Sequence, residues 1–262
     1  MNKYFLFFIF TFLVKMGSAT NYYVSPTGSD SNAGTSPEAP LLTPEKALIR
    51  VAAGDTIWMR EGTFPQTVTL SLSKSGSETK KYYLKAFPGE HPVLDFSAAG
   101  SGKRGITLSG SYWVIRGLAI TRAGDNGMII SGGAYNLIEN CAFFENGDSG
   151  LQLGAGAHDN RILNCDSYYN ADPPDYADAD GFAPKMDTGS NNYFYGCRSW
   201  GNCDDGWDGY LRGTDKVSTI LENCWTWGNG WLKDGTNPGD QANGNGFKMG
   251  GSDDKSLQHN FT

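Results

Sequence analysis

The feature that most constrains this chain is a short apolar run, closed by Asn or Gly and then Cys, that recurs at one register. The segments are Leu137-Ile138-Glu139-Asn140-Cys141, Arg161-Ile162-Leu163-Asn164-Cys165, Tyr193-Phe194-Tyr195-Gly196-Cys197 and Ile220-Leu221-Glu222-Asn223-Cys224. Val114-Ile115-Arg116-Gly117-Leu118 fits the same frame. The steps from Leu118 through Cys141, Cys165, Cys197 and Cys224 are 23, 24, 32 and 27 residues, one supersecondary unit each with insertions. A unit of that size buries its apolar face only by stacking on copies of itself, so the period marks a solenoid.

A second register runs through the same units. Asn126-Gly127-Met128, Ser149-Gly150-Leu151, Asp180-Gly181-Phe182, Asp205-Gly206-Trp207 and Asn245-Gly246-Phe247 each place a Gly before an alternating strand. Each coil therefore carries at least two strands. With little helical patterning between them, the fold class expected is all-β: a right-handed, single-stranded parallel β-helix whose equivalent positions stack roughly 4.8 Å apart. Alternation points Met128, Leu151, Phe182, Trp207 and Phe247 inward and the residue after each outward. Asn140, Asn164 and Asn223 are expected to form an inner asparagine ladder at a bend. Cys141, Cys165, Cys197 and Cys224 would stack beside it as buried thiols, because stacked Cβ vectors do not converge as a disulfide requires. Cys203 lies off this register.

Ahead of the repeats, Tyr22-Tyr23-Val24 and Asp55-Thr56-Ile57-Trp58-Met59 read as early strands. Thr43-Pro44-Glu45 reads as a helix start, with Thr as N-cap and Pro at the first helical position. The apolar face of Ala47, Leu48, Ile49 and Val51 suits a short cap over the open end of the solenoid. Asp30 and Asp55 are then turn formers.

Residues 1–19 have the form of a signal peptide: Lys3 near the start, an apolar run from Tyr4 to Val14, and Gly17-Ser18-Ala19 before the cleavage point. The run is too short to span a bilayer and Lys15 ends it. The expected domain is 20–262, secreted or periplasmic, with no membrane partner after cleavage. At its other end the chain is expected to stop inside a coil, since the 40-residue step from Gly206 to Gly246, applied to Cys224, passes Thr262. The formal charge of −7 argues against nucleic acid, whose binding draws on cationic side chains.

The chemistry-bearing residues lie in the later coils. Asp180 and Asp205 precede the register Gly on adjacent coils, and Asp204 and Asp208 flank the second of them. Four carboxylates at one outer face repel one another unless a cation sits between them, and an all-oxygen set favours a hard ion such as Ca2+. An EF-hand does not fit, because Asp187 stands where its final Glu would be and no helices flank the segment. Zinc is disfavoured, because His91, His158 and His259 are scattered and none falls near the cluster. Lys248 follows Gly246 by the same two positions that separate Asp208 from Gly206. A neighbouring cation would disfavour its charged form, so Lys248 is a candidate base.

Asp180-Gly181-Phe182-Ala183, Gly196-Cys197, Asp204-Asp205-Gly206-Trp207-Asp208 and Asn245-Gly246-Phe247-Lys248 resemble polysaccharide lyase family 9, over most of residues 135–262. The resemblance implies a right-handed parallel β-helix and a calcium-dependent lyase. Asp180, Asp204, Asp205 and Asp208 then match its calcium ligands and Lys248 its Brønsted base. It further implies β-elimination on pectate-type polygalacturonate, or on rhamnogalacturonan as the alternative within the family. Arg198, Arg212, Lys185 and Lys216 are candidate contacts to the acidic pectic substrate, and a monomer is expected. Two readings compete: a β-helical hydrolase using carboxylates around a water, disfavoured by the lack of a Gly-His-Gly segment, and a non-catalytic carbohydrate-binding solenoid with structural calcium.

Overall fold

The computed structural model describes residues 19–212 and 217–251. The expected signal segment, Lys216 and the expected interrupted coil after Gly251 lie outside the described residues, apart from Ala19. Among the described residues, no helix is long and apolar enough to cross a membrane.

The chain winds into a parallel β-helix of three sheets, with 8, 7 and 7 strands. One coil shows the plan: Leu137–Glu139 lies in the first sheet, Ala142–Phe144 in the second and Leu151–Gly154 in the third. Between the end strands, each strand pairs in parallel with its equivalents one coil below and one above, as Ile138 does with Ile115 and Ile162. The inward positions fill a single core. Met128, Leu151, Phe182 and Trp207 pair in succession up the third sheet, all of them fully buried. Phe247 continues the column, its ring 5.0 Å from Trp207, and is 43% exposed on the last described coil.

The expected cap is present. Helix Pro44–Arg50 is N-capped by the Thr43 side chain and buries Pro44 and Ala47 against the first coil. Lys74 Nζ donates to the carbonyls of Leu48, Ile49 and Val51 at its C-terminal end, where a cation is favoured. Asp30 and Asp55 hold turns: Asp30 accepts from the backbone of Leu42 and Thr43, and Asp55 from Thr20 and Ala52.

In the cysteine column Cys141, Cys165 and Cys197 are buried free thiols as expected, whereas Cys224, near the end of the described coils, is a free thiol that is only half-buried. The asparagine expectation is corrected. Asn140, Asn164 and Asn223 are exposed and adopt φ of 53°, 52° and 54°, with Gly117 and Gly196 in the same corner at 76° and 64°. They are chosen because Asn and Gly tolerate the left-handed region that this two-residue corner demands.

The inner ladders are built from other asparagines. Asn136 donates to Asn160 and Asn160 to Asn192, both at 3.0 Å, where the third sheet turns into the first. Asn146, Asn170, Asn202 and Asn229 are linked at 3.0, 2.8 and 3.1 Å where the second turns into the third. Each of these buried amides thus bonds its neighbour in the ladder, pairing polar groups that burial would otherwise strand.

These two classes respond oppositely to substitution. Asn170→Ala removes a buried amide that bonds to Asn146, Asn202 and Ser167, and is expected to cost about 2–4 kcal/mol. Asn164→Gly, at a positive-φ exposed corner, is expected to leave stability within about 0.5 kcal/mol. Thermal and urea unfolding of the two variants checks both; equal losses would refute the assignment.

Candidate active site

The third sheet and the corner leading into it bring the acidic residues together. Gly150 N donates to Asp180 O, Gly181 N to Asp205 O and Gly206 N to Asn245 O, at 2.9, 2.9 and 2.8 Å, so Ser149, Asp180, Asp205 and Asn245 stand in one column. Glycine is required beside each of them. A Cβ on Gly150, Gly181 or Gly206 would lie 2.0, 1.9 or 2.0 Å from the hydroxyl of Ser167, Ser199 or Thr226.

All four aspartates are buried. Asp180 Oδ1 accepts from Asp205 N at 3.2 Å, and its Oδ2 from Ser149 Oγ at 3.1 Å and Lys185 Nζ at 2.8 Å. Asp205 Oδ1 accepts from Asn245 N and Nδ2 at 2.8 and 2.7 Å, and its Oδ2 lies 3.0 Å from Lys248 Nζ. Asp208 Oδ1 accepts from Tyr210 N at 2.9 Å, while its Oδ2 is 3.3 Å from Lys185 Nζ. Asp204 Oδ1 accepts from Asn243 N at 2.7 Å, and its buried Oδ2 has no partner. Burial, with Asp205 adding to it, pushes the Asp204 carboxyl up to about 6.

One oxygen from each of Asp180, Asp205 and Asp208 falls within 4.8 Å of the others. An all-carboxylate set with an orphaned fourth carboxylate oxygen fits a hard divalent cation and not a thiophilic one. Fully ionised, four aspartates against Lys185 and Lys248 leave two negative charges, which one divalent ion balances.

Lys248 pairs with Asp208 across adjacent strands, as its register implies. Its Nζ is 3.0 Å from Asp205 and 3.9 Å from Asp208. Burial lowers its pKa, but Asp208 and Asp205 outweigh that and hold it above the ordinary lysine value. Its side chain remains 28% exposed, so it stands at the rim of the cluster.

The four residues read as substrate contacts have different fates. Lys185 is no open-face residue: it is 3% exposed and sits inside the cluster, because its stem folds back from the end of Phe182–Pro184 onto Asp180. Arg198 lies on the second sheet, where it makes two 2.7 Å bonds to Asp166. Arg212 follows Trp207–Leu211 on the site's own sheet and is exposed beside the Tyr210 ring. Lys216 is outside the described residues. Asn243 and Asn245 were missed as carboxylate anchors, although Asn245 shares the position before Gly with Asp180 and Asp205.

A parallel β-helix with a buried aspartate cluster and a lysine at its rim defines the class. The description "Pel9A-like, right handed beta helix region" matches residues 22–262. The chain belongs to that family, which bears out the resemblance to polysaccharide lyase family 9 and the right-handed fold. It is 42% identical over 249 residues to pectate lyase L of Paenibacillus polymyxa (strain SC2), covering 89% of this chain and 55% of that protein. It is 37% identical over 244 residues to pectate lyase L of Dickeya chrysanthemi, covering 88% and 56%. The chain thus spans about half the length of these curated relatives. Its fold superposes on the crystal structure of pectate lyase Pel9A with a TM-score of 0.83 at 34% identity, covering 95% of this chain and 63% of that one. A rhamnogalacturonan lyase superposes with a TM-score of 0.77 at 26% identity, covering 93% and 67%.

Asp148, one coil below the cluster, gives a pH test. Burial pushes its carboxyl up to about 6, above the usual 3.8. A raised folded-state pKa adds stability below the unfolded value and loses it as pH rises through the folded value. Asp148→Asn is therefore expected to stabilise by about 1–3 kcal/mol at pH 7–8, and by much less near pH 4. Thermal unfolding at the two pH values checks this.

Proposed function

We propose that this chain is the β-helix of a calcium-dependent polysaccharide lyase that cleaves pectate-type chains by β-elimination, with Lys248 as base. The observation that carries this reading is the placement of Lys248: an amine at the exposed rim of a buried, all-carboxylate cluster. The relatives named pectate lyase support the choice of substrate.

Asp180, Asp204, Asp205 and Asp208 would hold the ion. Bound there, calcium supplies Lewis-acid charge that draws on a uronate carboxylate and acidifies the neighbouring C5–H bond. Lys248 Nζ would take the C5 proton as a free amine, a form that a cation held by the aspartates would favour by offsetting the carboxylates that otherwise keep it charged. The C5–H electron pair becomes the C4–C5 double bond as the C4–O bond breaks, and the leaving oxygen is protonated from solvent. Asp205 and Asp208, within 4 Å of Nζ, orient the amine towards the bond it attacks. Export to the cell exterior or periplasm belongs to the same reading, since a polymer of this size is met outside the cell.

The test is a panel of polygalacturonate and rhamnogalacturonan assayed by the ultraviolet absorbance of unsaturated product, with calcium and with excess chelator. Polygalacturonate cleavage that chelator abolishes is expected. Cleavage of rhamnogalacturonan alone would move the substrate to the alternative suggested by the rhamnogalacturonan lyase neighbour. Polymer binding without any product would make this a binding solenoid.

Two substitutions separate the roles. Asp205→Ala is expected to lose both calcium binding, measured by calorimetry, and turnover. Lys248→Ala should keep calcium binding and lose about 10²–10⁴-fold in kcat. A Lys248→Ala rate within about tenfold of the parent, a barrier change of about 1.4 kcal/mol, would remove Lys248 from the role of base.

A further inference from the structure

The cluster contains a second lysine that the proposed chemistry does not use. Lys185 is 3% exposed, and its ammonium is surrounded by three acceptors: Asp180 Oδ2 at 2.8 Å, Asp208 Oδ2 at 3.3 Å and Asp178 O at 3.3 Å. An ammonium has three N–H groups, so these acceptors account for its whole donor capacity. Lys248, by contrast, has two carboxylates and an open side. The two lysines therefore divide the work by access.

Asp180 and Asp208 belong to adjacent coils, since the Phe182 strand pairs with the Trp207 strand. Their carboxylates face each other across a water-poor site, where like charges repel strongly. The Lys185 ammonium is the group that touches both. We propose that Lys185 is a resident counter-ion, a positioning residue that ties Asp180 to Asp208 and keeps these two coils docked when no divalent cation is bound. It is thus distinct from a substrate contact and from a base: a fixed positive charge within the cation site itself.

A buried charge left without its partner is costly, whereas removing both partners costs little. This sets the experiment, a comparison of melting temperatures for the parent chain, Lys185→Met, Lys248→Met and the double variant Lys185→Met/Asp180→Asn, each in excess EDTA and in saturating calcium. In EDTA, Lys185→Met is expected to melt roughly 10 °C below the parent. Lys248→Met, losing only a rim amine, is expected to fall by less than half as much. The double variant, which removes the closer of the two orphaned charges and leaves Asp208 with Lys248, is expected to recover most of the loss in EDTA. In calcium, Lys185→Met should also recover most of its loss, because the added cation replaces the missing charge.

Lys185→Met melting with the parent in EDTA would overturn the proposal. So would a double variant no better than Lys185→Met, because the lysine would then serve only as packing. If Lys185→Met does not fold in EDTA, the double variant still decides the matter by folding or failing to fold. The EDTA comparisons do not depend on the calcium reading; only the calcium recovery rests on it. Absence of calcium binding to the parent, with the EDTA differences intact, would overturn the calcium reading and leave Lys185 as counter-ion.

Discussion

Everything in this molecule depends on the parallel hydrogen-bond register between coils. A ladder such as Gly150 N to Asp180 O, Gly181 N to Asp205 O and Gly206 N to Asn245 O sets one coil on the next without slip. A slip of one residue would turn every inward ring outward, which the core of Leu151, Phe182 and Trp207 forbids. Chemistry is then a matter of columns. Placing Asp rather than Ser or Asn at one column position on two successive coils is enough to bring two carboxylates together, without any dedicated loop. The glycine that follows exists because a hydroxyl of the second sheet, Ser199 or Thr226, occupies the space of its Cβ.

That economy creates an electrostatic problem. Carboxylates brought together by backbone register cannot move apart without unstacking the coils, so the charge must be balanced in place. Three devices share the task. Backbone and amide donors reach Asp204 and Asp205 from Asn243 and Asn245. Lys185 lies between Asp180 and Asp208, and Lys248 lies against Asp205. What these leave uncompensated is the net negative charge and the bare Asp204 Oδ2, which together match the needs of a hard divalent ion.

The register-based parts of the fold and site were legible in the sequence, because a period repeated over five coils is a strong signal. The Asp180 and Asp205 stack, the Asp208 and Lys248 pair and the thiol column all follow from counting residues from one glycine or cysteine. Asparagine was ambiguous for a physical reason: the same side chain suits an exposed left-handed corner, as at Asn164, and a buried amide ladder, as at Asn170. Position relative to the aromatic outward column would have separated the two, since Asn146, Asn170, Asn202 and Asn229 each lie two residues after Phe144, Tyr168, Trp200 and Trp227. The Arg198 pair with Asp166 was also within reach, as each directly follows a register cysteine. Lys185 was not: its place depends on a flexible stem folding back, and no periodicity reports that.

In the regular coils the corner from second to third sheet is short, with Asn146 leading almost directly to Ser149 and Asn202 to Asp205. Below the Asp204-Asp205 corner the chain makes an excursion between Asn170 and Asp180, braced by the Asp172 carboxylate, which accepts from the backbone of Ala177, Asp178 and Ala179. Above it a longer excursion runs from Asn229 to Asn245 and returns to bond Asp204 and Asp205. Cys203 belongs to this construction, its buried thiol 3.2 Å from Asp172. Both of these long steps, which blur the sequence period, therefore fall on the coils next to the Asp204-Asp205 corner. The irregular segments flank the carboxylates, while the regular columns between them hold the charged groups in register.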